Sequence, residues 1–416
     1  MIIFFKKNYK NFLYYTKYIF IKFLNMHLFI IKNFIFIFLL LRQSYAEYMY
    51  TELRPPKINA ASYILIDYNS GQVLSELNAD MQRAPASLTK MMTSYIVGKL
   101  INSGQINPND LVTITKDSWM LGNPELKGSS LMFLRPGDHV SISELTRGII
   151  LQSGNDACVA IANYISGDQR SFVELMNNYA HQLNLKNTFF KNVHGLDTSG
   201  QFSSARDIAL ISIALIRDVS HEYIKYKEKE FTYNHIRQIN RNNLLWDKNL
   251  HVDGIKTGHT KLAGYNLAAS AVNNNMRLIS VLLGSNTAHE RDRGSKSLLQ
   301  WGFRSFNTIL SLKSEEIFLK KSVFFGNVDK VNLGVKKNVY LTIPKGKDKD
   351  IVIEYTLDSS VLKAPLKKYQ KVGKIIFKLN NSIITEVPLV TLEEVHSGNA
   401  LHYIIDYIKL NIQKFI

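Results

Sequence analysis

Pro85-Ala86-Ser87-Leu88-Thr89-Lys90 opens an apolar stretch that reads as a helix from residue 87 to about residue 101. In a helix, positions i and i+3 share a face, so the Lys90 amine can reach the Ser87 hydroxyl. The first turn also aims unpaired backbone N–H groups and the positive dipole end at the serine oxygen. A serine attacks a carbonyl only when a base takes its proton. Lysine can be that base where burial or a neighbouring cation frees its amine. Alone, the pair says little. The same spacing recurs at Ser360-Val361-Leu362-Lys363, in a stretch that reads as strand, and such pairs mostly sit on exposed helix faces.

Two further motifs follow. Ser153-Gly154-Asn155 presents a hydroxyl and an amide from a tight turn, groups that can relay a proton and hydrogen-bond a substrate amide. It too has a double, Ser397-Gly398-Asn399, which reads as a chain break before a terminal helix. Lys256-Thr257-Gly258-His259-Thr260 occurs once. On an edge strand, Lys256 and Thr257 offer a cation and a hydroxyl to a carboxylate, and Gly258 clears room for a peptide to lie against the backbone. The three motifs stand in order, 66 and 103 residues apart, whereas no Lys-Thr-Gly follows the doubles. That ordered trio is the signature shared by penicillin-binding proteins and class A β-lactamases.

Outward from the motifs, Ala61–Asp67, Asn69-Ser70-Gly71 and Gln72-Val73-Leu74 read as strand, turn and strand. Residues 143–165 carry apolar side chains at helical spacing. From about 311 to 395 the text becomes short alternating runs such as Val339–Ile343 and Ile351–Tyr355, which argue for a small all-β region. The C-terminus returns to helical spacing. Leu401, Ile404, Ile405, Ile408, Ile412, Phe415 and Ile416 form one stripe, with His402, Asp406, Lys409 and Gln413 off it. Such a helix either packs on its own domain or lies in a membrane interface, where Lys409 and Lys414 would help; the second reading is favoured. The N-terminus holds seven basic and no acidic side chains through residue 46, an apolar octet Phe34–Leu41, and small residues at Ser44 and Ala46. This reads as an export signal, with Met26 a possible start. The expected layout is a signal at 1–46, a mixed catalytic domain at 47–306, a β-rich domain at 307–396 and an amphipathic helix at 397–416.

With these residues in view, the chain resembles the D-alanyl-D-alanine carboxypeptidases of the penicillin-binding protein 5/6 type. Lys127-Gly128-Ser129-Ser130-Leu131-Met132, His194-Gly195-Leu196-Asp197, Ser203-Ser204-Ala205-Arg206-Asp207 and Trp301-Gly302-Phe303 extend the likeness from about residue 48 to the end. The resemblance implies an α+β fold: a serine β-lactamase/transpeptidase-like domain, an antiparallel sheet flanked by helices, then a small all-β domain and a C-terminal amphipathic helix. It implies attack by Ser87 on the penultimate carbonyl of a peptidoglycan stem pentapeptide, with Lys90 as base and Ser153 assisting departure of D-alanine. It also implies an oxyanion hole from the Ser87 and His259 backbone N–H groups. Lys256 and Thr257 would hold the terminal carboxylate, Asn155 and Gly258 would border the substrate, and Arg241 and Arg291 fall where the family has substrate-side arginines. β-Lactams would acylate Ser87. The implied location is the periplasmic face of the bacterial inner membrane, with no cofactor or metal. Lys261 departs from the pattern, standing where an acidic residue is expected.

Composition narrows the field further. Lys and Arg number 51 against 34 Asp and Glu, a formal charge of +17 that suits an anionic surface. A nucleic-acid role is unattractive in an exported protein without an aromatic-basic motif. The lone Cys158 excludes an intramolecular disulfide and reads as a buried, inert thiol. His194 and His259 read as structural rather than as bases. The rivals are a β-lactamase, disfavoured by the extra β region and by Ser-Gly-Asn, and a structural wall protein with a decayed site.

Overall fold

The computed structural model describes residues 54–413, so the signal segment, Lys414, Phe415 and Ile416 lie outside the described residues. Five strands build the first sheet: β1 Ser62–Asp67, β2 Val73–Leu77, β3 His251–Thr260, β4 Gly264–Asn273 and β5 Met276–Ser285. Their order is β2-β1-β5-β4-β3, antiparallel throughout, which leaves β3 and its Lys-Thr-Gly on an edge.

Alternation decides what each face covers. Ile64 and Ile66 point into one core and Tyr63 and Leu65 into another, as the two-residue period of a strand requires. The first core lies against α1 Lys90–Asn102, α2 Ile142–Arg147, α3 Asn155–Ser166, α4 Gln169–Gln182 and α5 Ala205–Asp218. The second lies against α6 Ala288–Ser305, which contributes Leu298, Leu299 and Trp301. Helices therefore flank the sheet on both faces. At about 25 cal/mol per Å² of apolar surface, these two cores supply the main driving force for folding.

The run 143–165 is not one helix. α2 ends at Arg147, a wider turn spans Gly148–Gln152, and Ser153 adopts a left-handed φ of 65° before α3 starts at Asn155. Apolar spacing continues through the break because both halves bury the same side, so periodicity alone does not reveal it.

Beyond α6 the chain becomes strand: β6 Phe306–Leu312, β7 Ile317–Phe324, β8 Lys330–Gly334, β9 Val339–Pro344, β10 Ile351–Leu357, β11 Leu362–Lys363, β12 Lys371–Leu379 and β13 Ser382–Thr391. β6 pairs with β9, and the other six form a sheet in the order β10-β12-β13-β8-β7-β11. Val331, Leu333, Leu341, Ile375, Phe377 and Leu389 fill their own core. The β1–β2 turn meets this region through hydroxyls: Ser70 Oγ lies 2.6 Å from Thr342 Oγ1, and buried Asp67 accepts from Thr308 Oγ1 at 2.7 Å.

α7, Ala400–Gln413, touches the β region by its polar edge. Asp406 is buried and accepts from the Phe325 N–H at 2.6 Å, while Tyr403 stacks on the Phe325 ring at 4.4 Å. The apolar stripe faces outward: Leu401, Ile404, Ile408 and Ile412 are all more than half exposed. Among the described residues, no helix is long and apolar enough to cross a membrane.

Candidate active site

The serine of the first motif does not sit within the α-helix. Ala86–Thr89 form a 3₁₀ turn, and α1 begins at Lys90. In that tighter winding, positions i and i+3 nearly eclipse. Lys90 Nζ accordingly stands 3.0 Å from Ser87 Oγ and donates to the His194 carbonyl at 2.5 Å. Lys90 is only 1% exposed, and burial lowers its pKa to about 8, with the Arg241 charge pushing the same way against opposing pulls from Cys158 and Asp156.

The turn is held from three sides. Ala86 has a left-handed φ of 50°, uncommon for a residue with a Cβ. Asn266 on β4 clamps the preceding loop, donating to the Ala84 and Pro85 carbonyls at 3.1 and 3.2 Å while accepting from the Gly284 N–H at 2.8 Å. Directly opposite Asn266 in register lies Gly258. A Cβ on Gly258 would come within 3.1 Å of the Ser87 nitrogen, so the missing side chain is what lets β3 run against the serine. Below the turn, Gly195 with φ +91° abuts the Ala86 carbonyl.

Ser153 reaches the same cleft from the break between α2 and α3. Its Oγ and the Asn155 Oδ1 are both buried with no hydrogen-bond partner, an arrangement that is rare unless water or a ligand completes it. Asp156, next in the chain, accepts from the N–H groups of Met132, Phe133, Leu134 and Ala157 at 2.8 to 3.1 Å. Burial nevertheless raises its pKa, the four N–H bonds opposing. This carboxylate ties residues 132–134 to the first turn of α3, beside the break at Ser153.

Lys256 is buried on β3, with Nζ donating to the Thr257 carbonyl at 3.0 Å. Burial, and then the Lys90 charge, hold its pKa well below the usual lysine value. Ser87, Ser153, Asn155, Thr257, Gly258, His259, Arg241 and Arg291 all line one cleft of about 660 Å³. Arg241 donates to Ser130 Oγ at 2.7 Å, and Arg291, 5% exposed, pairs with Asp292 at 2.7 Å. The doubles stay apart: Leu362 and Lys363 form a short strand in the β region, and the Gly398 N–H donates to the Phe325 carbonyl.

Three further side chains are held by their neighbours. The His259 ring stacks on Tyr265 at 4.1 Å. Burial drives the His194 pKa down to about 3, and its Nδ1 accepts from the Leu196 N–H at 3.3 Å. The Cys158 thiol is buried, pushed up to about 12. Sequence reasoning missed Asp156, Asn266 and the packing role of Gly195. The one available signal was an acid, Asp156, placed directly after Ser153-Gly154-Asn155 at the start of an otherwise apolar helix.

A buried lysine on a serine, two orphaned polar groups, and an edge-strand lysine with Arg241 and Arg291 beside the cleft make a site for acyl transfer from a peptide with a free carboxylate. The profile of the D-alanyl-D-alanine carboxypeptidase family matches residues 49–287, more than half of the chain. The chain belongs to that family. A second profile, the C-terminal domain of penicillin-binding protein 5, matches residues 306–397. D-alanyl-D-alanine carboxypeptidase DacA of Escherichia coli K12 is 59% identical over 355 residues, covering 85% of this chain and 88% of that protein. DacC from the same strain is 51% identical over 360 residues, covering 86% and 90%. The solved penicillin-binding protein 5 of Haemophilus influenzae is 48% identical, with a TM-score of 0.80 over 83% of this chain and 99% of that one. The chain is thus a serine hydrolase of D-alanyl-D-alanine carboxypeptidase type, with a transpeptidase-like domain and an all-β C-terminal domain. An acyl-serine intermediate and β-lactam binding are typical of its family.

Proposed function

We propose that Ser87 is the nucleophile, Lys90 its general base, Ser153 the proton relay, and Lys256 with Thr257 the anchor for the terminal carboxylate. The observation that carries this reading is the 3.0 Å approach of the buried Lys90 amine to Ser87 Oγ. Ser87 Oγ attacks the penultimate carbonyl and its proton passes to Lys90. The oxyanion is met by the Ser87 and His259 N–H groups. The tetrahedral intermediate collapses, and the departing D-alanine amine takes a proton through Ser153. Water then attacks the acyl-serine, returning the serine proton and freeing the tetrapeptide. Asn155 holds the substrate amide, while Arg241 and Arg291 add positive charge around the carboxylate. The test is D-alanine release from a stem pentapeptide ending in D-Ala-D-Ala, with the same peptide ending in L-Ala as control. Release from the first alone is expected; a folded protein that releases neither would overturn the assignment.

The protonation of Lys90 sets a pH dependence. Only the neutral amine accepts the serine proton, so with a pKa of about 8 the competent fraction rises as pH rises through that value. Penicillin acylation should increase nearly tenfold per unit below pH 7 and bend over near pH 8, and a fall at higher pH would report loss of the charge on Lys256. Stopped-flow acylation across pH 6–10 reads it, and a flat profile would remove Lys90 as the base.

The layout proposed is a catalytic domain at 47–306, a β-rich domain at 307–396 and a peripheral anchor at 397–416, holding the enzyme on the periplasmic face of the inner membrane. The outward apolar stripe of α7 supports this. Replacing Ile404 and Ile408 with Glu removes roughly 1.5 kcal/mol or more of burial for each, so binding to anionic phospholipid vesicles should fall more than 100-fold by sedimentation. Unchanged vesicle binding would refute the anchor.

A further inference from the structure

Four cations other than Lys261 stand in or beside the cleft, and each has a partner. Lys90 lies on Ser87 and His194, Lys256 on the Thr257 carbonyl, Arg241 on Ser130 and Arg291 on Asp292. Lys261 differs. It lines the cleft from the exposed turn between β3 and β4, and its amine makes no hydrogen bond or ion pair with a described residue. Among the described residues, no acid lines this cleft. Asp197, beside this turn, is engaged by it, accepting from Thr260 Oγ1 at 2.7 Å and the Leu262 N–H at 3.4 Å. Lys261 is therefore a positive charge on the rim of the cleft without an ion-pair partner among the described residues, where this chain departs from the acidic residue expected.

Position along the strand says what that charge can meet. A peptide laid on an edge strand advances about 3.3 Å per residue. With its terminal carboxylate at Thr257 and its scissile carbonyl beside Ser87 and Gly258, the residue two places before the C-terminus falls level with His259, roughly 7 Å from Thr257 and two positions before Lys261. The side chain of that residue, the third of a pentapeptide, reaches toward Lys261. We infer that Lys261 is a specificity-determining residue that selects substrates whose third residue carries a side-chain carboxylate, as a diamino diacid does, over those ending in an amine or an amide. The inference rests on the proposed orientation of the peptide along β3. A contact formed equally in the ground and transition states acts through KM rather than kcat, and one this exposed weakens as salt rises.

The test compares two pentapeptides ending in D-Ala-D-Ala that differ only in whether the third side-chain carboxylate is free or amidated. Two penicillins differing only by a carboxylate on the acylamino group serve as a second pair. The parent should favour the acid of each pair about fivefold at low salt, mostly in KM, the size of an exposed charge contact. The preference should vanish in Lys261→Met and reverse in Lys261→Asp. Leu262→Ala, in the same turn, should keep the parent ratio and so controls for disturbance of the loop. A parent ratio of one, or a ratio that survives in Lys261→Asp, would overturn the inference. Should neither peptide release D-alanine, the catalytic reading fails instead. Their dissociation constants then decide the matter for Lys261 by the same ratio.

Discussion

Ser87→Ala should reduce D-alanine release to background, a loss of roughly 10⁴-fold or more, and abolish the stoichiometric penicillin adduct seen by intact mass. Lys90→Met should cost nearly as much. Met keeps the length and apolar volume of the buried stem but removes the acceptor for the serine proton, and a general base is worth about 10²–10⁴-fold. Since the two act as one unit, the double variant should be little worse than Ser87→Ala alone. Stability separates this from misfolding. Desolvating the Lys90 amine opposes folding, as its lowered pKa records, so Met should leave the melting midpoint within about 3 °C of the parent. Adduct formation by Lys90→Met at the parent rate would show that another group deprotonates the serine.

The reactive trio was legible because each member depends on local geometry. Ser87 and Lys90 need only a helical step of three, and Lys256-Thr257-Gly258 needs only a strand whose glycine faces another backbone. Groups that act at long range left no such trace. Asp156 holds N–H groups 22 to 24 residues away, and Asn266 holds carbonyls some 180 residues away; neither contact produces a periodic signal. The break at Ser153 was also hidden inside continuous apolar spacing. At the C-terminus, periodicity located the stripe of α7. It could not tell that buried Asp406, off the stripe, is the contact that docks the helix.

Gly195→Ala should be the most damaging single methyl in the fold. At φ +91°, a Cβ would lie 1.9 Å from the Ala86 carbonyl oxygen and 2.9 Å from Thr89 Oγ1. Both neighbours belong to the turn carrying Ser87, and the closer atom is backbone, so no side chain can swing aside. Ala86 already sits at φ 50° and cannot retreat without turning the serine. A left-handed conformation alone costs an L-residue about 1–2 kcal/mol, and forced displacement of packed groups adds about 1–3. The melting midpoint should therefore drop by roughly 5–15 °C. Penicillin acylation in the folded fraction should fall about 100-fold, because a 1 Å misplacement of a reacting group has that effect. Gly200→Ala separates strain from collision. It shares a positive φ of 80°, but its Cβ would meet only the flexible Lys191 Cε at 3.3 Å. It should lose the conformational part of the stability and acylate at the parent rate. Equal acylation by both variants would mean that the Gly195 backbone does not position Ser87.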